Sequence, residues 1–296
     1  MSTLSVLKFI AAHPLNDGRR LAALMRFAEW QVASRLIHGD IVFDWIKGSR
    51  FLVRNGETGL TQNIYTGLQE FADMGFLLHV LRNNDLFVDV GANVGSYTIL
   101  ACAVIGARGY AFEPVPPTYR RLVENIRINH VENNVTAMNC GIGREQGTMD
   151  FTSDMDTVNH VLAAGERHSN TIRVDISTLD DVLRHESPAL MKIDVEGFET
   201  QVLQGAVETL KKQTLHSVIM ELNGSGKRYD YDDGTLLEMM FDYGFKTYSY
   251  DPLNRRLVSL GRRHRQSGNT LFVRNEAAVL DRLNGAPPVT VCGKTF

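Results

Sequence analysis

The chain has 296 residues, of which 44% are hydrophobic and 22% are charged, and it contains 25 glycines and 8 prolines. This composition is typical of a globular protein and excludes a fibrous or disordered one. The 31 basic and 34 acidic residues give a net charge of −3, so we expect no broad electrostatic attraction to nucleic acid or anionic lipid.

Residues 1–84 are predicted to form an accessory layer of helices and one hairpin. The opening segment, MSTLSVLKFIAAH, lacks the basic region and cleavage site of a signal peptide, so we expect it to be part of the folded protein. An apolar stripe at helical spacing predicts an amphipathic helix over 19–38 that buries the stripe against a partner. Its members are Leu21, Leu24, Met25, Ala28, Val32 and Leu36. IVFDWI and RFLV then form a predicted hairpin, and residues 63–82 return to helical spacing.

From Asp85 onward, short apolar strands alternate with helices. The predicted strands are LFVDV, GYAFE, VTAMN, ALMKIDV and SVIMEL, then the extra pair GTMDF and NTIRVDI, and a closing pair, FKTYSY and NTLFVR. Helices are predicted at 96–105, at 116–129 and after ALMKIDV, where one face carries Val202, Leu203, Ala206, Val207 and Leu210. This alternation predicts an α/β fold with a doubly wound sheet at 85–276, followed by a C-terminal tail at 277–296.

A glycine-rich turn follows the first of these strands, in DLFVDVGANVG. Asp89 ends the strand, and Gly91 and Gly95 let a ligand approach the backbone at the carboxyl edge of the sheet. A dinucleotide fingerprint needs glycines at 91, 93 and 96, but the chain has Asn93 and Ser96, so NAD is not expected. The pattern D-x-G-x-x-x-G instead matches the S-adenosylmethionine loop of class I methyltransferases.

Glu113 ends the next strand, 18 residues after Gly95. A carboxylate at this strand end is placed to accept hydrogen bonds from both hydroxyls of a ribose. The glycine turn alone also fits an ordinary strand-to-helix connection, and Glu113 alone fits a solvated strand end. The two features together, at this spacing, favour a nucleotide-binding site.

The chain resembles the FkbM-type methyltransferase family, whose members methylate hydroxyl groups on sugars, polyketides and other small molecules. The similar blocks are FVDVGANVGSYT, AFEP, ENIRIN, KIDVEGFE and VIMELN, within residues 63–274. The resemblance implies a Rossmann-like class I fold with a seven-stranded, mostly parallel sheet, helices on both faces, an antiparallel last strand, and S-adenosylmethionine as methyl donor. It implies that Asp89, Gly91, Asn93 and Gly95 line the methionine end and that Glu113 binds the ribose. Where the family usually has Ala-Leu-Gly after the third strand, this chain has Gly-Ile-Gly at 141–143.

Methyl transfer from a sulfonium is a direct displacement, so alignment of the reactants and a base for the acceptor hydroxyl are the expected requirements. In KIDVEGFE, Asp194 is the first candidate, as a contact to the sulfonium or the acceptor, and Glu196 is the second. Glu199 lies one helical turn further on, and Glu221 ends the next strand. The alternative for the acids of KIDVEGFE is capping of the helix that follows.

His160 is a third catalytic candidate, since it lies in a polar insertion expected to overhang the sheet edge and imidazole is a good base. The alternative is a loop histidine paired with Asp154 or Asp156. In the N-terminal layer, NIYTGLQE at 63–70 is predicted to approach the cofactor, with Tyr65 and Glu70 as candidates.

Clustered carboxylates are also Mg²⁺ ligands, but no D-x-D or H-E-x-x-H pattern occurs, so the sequence assigns no metal. The cysteines, Cys102, Cys140 and Cys292, form no C-x-x-C pair, which predicts neither a disulfide framework nor a cysteine zinc site. The longest weakly polar stretch is about half of the roughly 20 residues that span a membrane. A cytoplasmic protein with no membrane span is therefore expected.

Three hypotheses about function remain at this stage. The leading one is an S-adenosylmethionine-dependent O-methyltransferase acting on a carbohydrate or another small molecule. The second is a nucleic-acid or small-molecule N-methyltransferase, but such enzymes resemble one another in an Asn-Pro-Pro-Tyr motif where this chain has DVEG at 194–197. The third is a non-catalytic S-adenosylmethionine-binding module, which the intact glycine turn and Glu113 disfavour. The sequence indicates neither the acceptor nor the oligomeric state.

Overall fold

The structure is a computed structural model, and it describes residues 3–54, 58–153, 159–163, 165–265 and 267–296. Its N-terminal part contains four helices and one antiparallel hairpin within the described residues. They are α1 Thr3–Ala12, α2 Arg20–Leu36, β1 Ile41–Asp44, β2 Arg50–Val53, α3 Thr58–Thr66 and α4 Phe71–Val80.

The rest of the chain alternates strands with helices before it closes in antiparallel strands. The elements as far as the fourth central strand are β3 Leu86–Val90, α5 Ser96–Ile99 with its π-helical continuation Leu100–Ile105, β4 Arg108–Phe112, α6 Pro116–Ile128, β5 Val135–Met138, β6 Gly141–Ile142, β7 Gly147–Thr152, β8 Thr171–Ser177, α7 Leu179–Val182 and β9 Pro188–Ile193. They are followed by α8 Glu199–Gln204, α9 Val207–Lys211, β10 Ser217–Glu221, α10 Asp233–Asp242, β11 Lys246–Asp251, β12 Arg256–Ser259, β13 Asn269–Val273, α11 Glu276–Asn284, β14 Thr290–Val291 and β15 Lys294–Thr295.

The main sheet has eight strands in the order β12-β11-β13-β10-β9-β3-β4-β5. Strands β10, β9, β3, β4 and β5 are parallel, whereas β13 runs antiparallel to both of its neighbours. This arrangement confirms the predicted α/β class with a mostly parallel, doubly wound sheet. The seven expected strands are present, and β12 adds an eighth at the edge by pairing with β11. The extra strands β6, β8 and β7 form a separate three-stranded sheet.

The topology gathers four strand ends at one edge of the sheet. Strand β3 lies between β4 and β9, so successive connections leave it in opposite directions and open a crevice beyond its carboxyl end. The segments that follow β3, β4, β9 and β10 therefore meet there. These segments contain the residues that the sequence analysis singled out.

Side chains alternate between the two faces of the central strands, as the period of a strand requires. On β3, Phe87 packs in a hydrophobic cluster with the N-terminal layer, whereas Val88 packs in a second cluster on the opposite face. On β9, Leu190 and Met191 divide in the same way. Asp89 is two residues from Phe87, and Lys192 is two residues from Leu190. Both side chains therefore lie on the face of the sheet that the N-terminal layer covers.

The first cluster joins the N-terminal helices to the sheet in one core. Leu68 and Phe76 of the N-terminal layer are fully buried and belong to the same cluster as Ile99 and Leu190. Phe296 also reaches this cluster, where its ring packs edge-on against Phe71 at a centroid distance of 5.0 Å. The segment predicted as a tail thus contains α11 and the β14–β15 hairpin.

The predicted buried face of α2 is wrong. Leu21, Met25 and Leu36 are 74%, 55% and 73% exposed, and the rest of the predicted stripe is exposed as well. The helix instead buries Trp30, and Arg26 donates hydrogen bonds to Asn16 Oδ1 (2.8 Å) and to the Tyr65 carbonyl (2.9 Å). Helical spacing identifies a stripe, but the partners available in space decide which face is buried.

Two predicted helices are each divided by a glycine. Residues 63–82 form α3 and α4, separated at Gly67, which has φ +83° and leaves no room for a Cβ because Val291 Cγ1 would be 2.3 Å away. The helix predicted after β9 is divided into α8 and α9 at Gly205, whose Cβ would lie 2.0 Å from the Gly143 carbonyl oxygen. Val207, predicted to be buried, is 36% exposed because the second helix turns away. Among the described residues, no helix combines the length and apolarity needed to cross a membrane.

Candidate active site

The glycine turn after β3 packs tightly against the end of β9. Gly91 has φ +80°, and a Cβ there would lie 1.9 Å from the Asp194 carbonyl oxygen. The backbone amides of Gly91 and Ala92 both donate to the Phe112 carbonyl, at 3.0 and 2.9 Å. Only glycine satisfies this backbone conformation and this close approach. The turn therefore joins the ends of β3, β4 and β9 into one rigid edge.

Gly95 completes the turn and begins α5. It has φ +97°, and a Cβ would lie 2.8 Å from Leu122 Cδ1 of α6. Between the glycines, Asn93 also has a positive φ of 52°, a conformation that asparagine tolerates better than most residues. Its Oδ1 accepts a hydrogen bond from the Val94 amide at 2.7 Å.

Glu113 is hydrogen-bonded to the backbone of the glycine turn. It is 6% exposed, and its Oε2 accepts the Asn93 amide at 3.0 Å while its Oε1 accepts the Val115 amide at 2.9 Å. Burial raises the pKa of Glu113 to about 7 despite these two donors. Each carboxylate oxygen keeps a second lone pair, so the side chain has acceptor capacity left for a ligand.

A largely apolar cleft, which we call the first cleft, lies beside Glu113 and has an empty volume of about 620 Å³. Gly91, Asn93 and Glu113 form one side. The rest of the cleft is lined by hydrophobic side chains, including Val115, Ile142, Phe151, Val161 and Phe198. Cys140 and Gly141 also line it, at the block that departs from the family pattern.

A polar cleft, the second cleft, opens on the other side of the turn and has an empty volume of about 1110 Å³. Gly91, Asn93, Asp194 and Glu196 line both clefts, so the two meet at the carboxyl ends of β3 and β9. The second cleft is also lined by Gln62, Gln69, Glu70, Asp89, Ala92, Val94, Ser96, Tyr97, Lys192 and Glu221.

Asp89 lies in the floor of the second cleft. It is 1% exposed, and its Oδ2 accepts a hydrogen bond from Thr98 Oγ1 at 2.6 Å. Burial raises the pKa of Asp89 to about 6, although Lys192 acts in the opposite direction.

Asp194 is held by Lys192, a residue that the sequence analysis missed. Lys192 Nζ lies 2.6 Å from Asp194 Oδ2 and 4.8 Å from the centroid of the Tyr97 ring. Burial alone lowers the pKa of Lys192, but the charges of Asp194, Glu70 and Asp89 outweigh it and raise the pKa above its usual value. Lys192 is therefore a buried ammonium, paired with Asp194, in the lining of the second cleft. A lysine within the otherwise apolar ALMKI strand was the available signal, because lysine is rarely buried without a partner.

Two further carboxyls converge on Asp194. Burial, reinforced by the charge of Asp194, raises the pKa of Glu196 to about 7. Burial and the charges of Asp194 and Glu196 also raise the pKa of Glu221 well above its usual range. Oxygens of the three side chains lie within 4.8 Å of one another, a spacing that a divalent cation fits. An acidic cluster does not by itself identify a metal site, and we assign none.

Glu199 lies apart from this group and has a structural role. It is 3% exposed, and its Oε1 accepts the backbone amides of Val195 (3.2 Å) and Gly197 (3.1 Å). It therefore ties together the turn before α8, whereas α8 itself has no side-chain cap, so the capping alternative does not describe its contacts. Burial raises the pKa of Glu199 to about 7.

His160 is 3% exposed, and its Nε2 lies 3.1 Å from Glu166 Oε1. Its neighbours Asn159 and Val161 line the first cleft, while His160 is not among the described residues that line either cleft. Asp154 and Asp156, its alternative partners, lie outside the described residues.

The N-terminal layer contributes Glu70 to the site but not Tyr65. Glu70 accepts hydrogen bonds from the Tyr97 hydroxyl at 2.8 Å and from Asn269 Nδ2 at 3.0 Å. Tyr65 is buried against Phe27, with ring centroids 5.2 Å apart. The sequence analysis missed Tyr97 and Asn269, because their role depends on contacts between distant segments.

Comparison with known proteins identifies the family. The FkbM methyltransferase domain matches residues 89–247, which are 159 of the 296 residues. The chain is 29% identical to methyltransferase sdnD of Sordaria araneosa over 192 residues, 53% of this chain and 74% of that protein. It is 29% identical to the hexuronic acid methyltransferase AglP of Haloferax volcanii over 148 residues, 50% of this chain and 59% of that protein. It is 27% identical to the 31-O-demethyl-FK506 methyltransferase FkbM of Streptomyces tacrolimicus over 240 residues, 68% of this chain and 88% of that protein.

Among solved structures, an rRNA methylase from Streptococcus thermophilus aligns with a TM-score of 0.39 at 16% identity, over 68% of this chain and 91% of the other. A methyltransferase from Streptococcus mutans aligns with a TM-score of 0.38 at 12% identity, over 68% and 94%. The family match spans more than half of the chain and includes Gly91, Glu113 and Asp194. The chain therefore belongs to the FkbM methyltransferase family.

Proposed function

We propose that the protein transfers a methyl group from S-adenosylmethionine to a hydroxyl group of a sugar or another small molecule. The observation that carries this proposal is the meeting of an apolar cleft and a polar cleft at Gly91, Asn93, Asp194 and Glu196. S-adenosylmethionine carries an adenine base at one end and a charged sulfonium toward the other, so its site needs an apolar cleft that joins a polar one. The relatives named for a hexuronic acid and for 31-O-demethyl-FK506 support a hydroxyl-bearing acceptor.

The residues present fit S-adenosylmethionine. The hydrophobic lining of the first cleft suits an adenine ring, and Glu113 has free lone pairs for ribose hydroxyls. The second cleft carries five acidic side chains and one lysine among its described residues, which suits a donor with a net positive charge. When bound, this donor supplies an activated methyl group on a sulfonium centre, so no covalent intermediate on the protein is needed.

The protein's own part in the reaction is alignment, exclusion of water and removal of one proton. We assign alignment to Asp194, because the Lys192 ammonium already occupies its Oδ2 and fixes its orientation. Glu196 is the better base, since a carboxyl with a pKa near 7 is matched to proton transfer at neutral pH. Glu196 has φ +54°, a strained conformation that its surroundings must hold in place.

The test is binding of S-adenosylmethionine by calorimetry to the wild type and to Glu113→Ala. We expect the variant to lose about 1 to 3 kcal/mol of binding free energy, the usual cost of removing a charged hydrogen-bond partner. NAD should bind to neither protein. Wild-type affinity in the variant would remove Glu113 from the site, and no binding to the wild type would overturn the proposed function.

Glu199→Ala is the matched control for that experiment. Glu199 is as buried as Glu113 and also accepts two backbone amides, but it is not among the described residues that line the two clefts. Its loss should lower the melting temperature and leave S-adenosylmethionine affinity within about twofold. Equal losses of affinity in both variants would mean that Glu113 acts only by supporting the fold.

A further inference from the structure

The second cleft contains two buried oxygens that lack a hydrogen-bond partner among the described residues. They are Oε1 of Gln69 and Oε2 of Glu221. Both side chains line the cleft, although they come from opposite sides of it, the α3–α4 turn and the end of β10. Buried polar atoms are nearly always hydrogen-bonded, so an unpaired one next to a cleft indicates a group that a ligand supplies. Two unpaired oxygens call for a ligand with at least two hydrogen-bonding groups, such as two hydroxyls.

The lining of the second cleft favours a hydrophilic ligand. Its nonpolar members other than glycine are Ala92, Val94 and the ring of Tyr97, whereas amides, carboxyls and a hydroxyl form most of the remaining lining. The first cleft differs sharply, since Ile142, Phe151 and Phe198 line it. A polyketide-like acceptor would leave many polar groups of the second cleft without partners, and each unpaired buried group costs free energy.

The charge of the second cleft favours a ligand that is not an anion. Among the described residues, Glu70, Asp89, Asp194, Glu196 and Glu221 line it together with one basic residue. That residue, Lys192, is already paired with Asp194. A carboxylate or phosphate on the acceptor would therefore find no unpaired basic side chain among the described lining residues to balance its charge.

The backbone of Gln69 is anchored beside the second cleft. Its backbone amide donates to Asn63 Oδ1 at 2.8 Å, and Asn63 is 1% exposed. Asn63 also reaches Ser96 Oγ at 3.4 Å, which ties the α3–α4 turn to the start of α5 beside the glycine turn. The terminal amide of Gln69 retains a soft torsion, so a small rotation presents its oxygen to a ligand.

We propose that the second cleft is the acceptor site for an uncharged, polyhydroxylated molecule, such as a neutral sugar, and that Gln69 and Glu221 bind its hydroxyl groups. The inference rests on the proposed function and narrows its substrate class. Gln69 lies outside the matched family segment 89–247, so acceptor choice depends partly on the N-terminal layer of this chain.

The first experiment compares matched acceptors on the full-length protein saturated with S-adenosylhomocysteine. The probes are the methyl glycosides of glucose, galactose and mannose, each beside its uronate, and a long-chain secondary alcohol. Binding is measured by saturation-transfer NMR. We expect at least one neutral glycoside to bind about tenfold more tightly than its uronate, which corresponds to about 1.4 kcal/mol. Equal or tighter binding of the uronates, preferential binding of the alcohol, or no binding of any neutral glycoside would overturn the inference.

The second experiment tests Gln69 directly. Gln69→Leu removes the amide at similar size, and Gln69→Glu keeps an oxygen acceptor. In Gln69→Leu the dissociation constant of the preferred glycoside should rise about tenfold while that of S-adenosylmethionine stays within about twofold. Gln69→Glu should keep more glycoside affinity than Gln69→Leu and discriminate more strongly against the uronate. If Gln69→Leu folds and its glycoside affinity is unchanged, the role of Gln69 is overturned. If Gln69→Leu does not fold, unchanged discrimination against the uronate in Gln69→Glu overturns that role instead.

Different results would overturn the proposed function and the choice of a neutral acceptor. A protein that binds S-adenosylmethionine but prefers anionic or apolar acceptors keeps the proposed function and overturns this inference. A protein that does not bind S-adenosylmethionine loses the proposed function, and glycoside binding to the second cleft is then still measured by NMR without the cofactor.

Discussion

At the scale of single residues, the carboxyl groups of the site differ in their hydrogen-bond and ion-pair partners. Glu113 and Glu199 accept hydrogen bonds from backbone amides, and Asp194 faces the Lys192 ammonium. In the part of the chain that the structure describes, Glu196 makes no hydrogen bond or ion pair. Carboxyl groups that lie close together thus differ in their surroundings, because their nearest hydrogen-bond donors differ. On this difference rest the proposed roles of Glu196 as base and of Asp194 as aligning residue.

Substitution of the proposed base tests this division of roles. Glu196→Gln should lower single-turnover rate by about 10² to 10⁴ and remove the rise of rate with pH. In the wild type that rise should be centred near pH 7, because the raised pKa of Glu196 means that the active, deprotonated form appears only there. Rates are measured by quenched flow across the pH range.

Asp194→Asn and His160→Gln are the comparisons for that experiment. Asp194→Asn should reduce the rate but keep the rise with pH, since it disturbs alignment without removing the base. His160→Gln should have a rate within about tenfold of the wild type, because the ring already faces Glu166. A large loss confined to His160→Gln would assign the base to histidine and contradict the role of Glu196.

At the scale of elements, helix α2 shows that an apolar stripe is not a measure of burial. The stripe of Leu21, Met25 and Leu36 faces solvent, whereas Trp30 on another face is 6% exposed. Surface substitutions usually change the free energy of unfolding by less than about 0.5 kcal/mol, and a buried tryptophan truncated to alanine costs about 3 to 5 kcal/mol.

We therefore expect Leu21→Ala and Met25→Ala to leave the stability of the protein nearly unchanged and Trp30→Ala to lower it strongly. Urea unfolding monitored by circular dichroism measures the differences at a fixed protein concentration. A large loss of stability in Met25→Ala, matched by no loss in Trp30→Ala, would contradict the orientation of α2.

At the scale of the whole molecule, the N-terminal layer and the sheet share one hydrophobic cluster, and both contribute lining residues to the second cleft. We propose that residues 1–84 and 85–276 fold as a unit. Because that layer covers the face of Asp89 and Lys192, it keeps several carboxyls away from water. The stability of the ligand-free protein is consequently linked to pH.

Asp89, Glu113 and Glu199 all have a pKa raised by burial, to about 6, 7 and 7. Burial also raises the pKa of Asp73, Glu196 and Glu221, and these six carboxyls outnumber the buried His13 and His79, whose pKa values burial lowers to about 4 and which act in the opposite direction. The folded state therefore holds more protons than the unfolded state between about pH 4.5 and pH 7, so stability falls as pH rises through this window. Chemical unfolding in a series of buffers should show that decline. Glu199→Gln should make it shallower, and stability that increases with pH across the window would contradict the prediction.

The sequence by itself determined the sheet, the glycine turn and the acids at the strand ends. These features are local, since the period of a strand, the need for glycine at Gly91 and the position of Glu113 at a strand end are all visible within a few residues. Parallel strands then bring their carboxyl ends to one edge whatever the details of packing. The family resemblance depends on the same local blocks, and the match over 89–247 agrees with it.

Only the tertiary structure decided which face of α2 is buried, that Glu199 ties together the turn before α8, that His160 faces Glu166, and that Gln69 lines the second cleft. Each of these depends on a contact between segments whose relative position is set by the packing of the whole chain. A periodic pattern specifies the faces of one element, but burial, charge pairing and access to a cleft are properties of the space between elements.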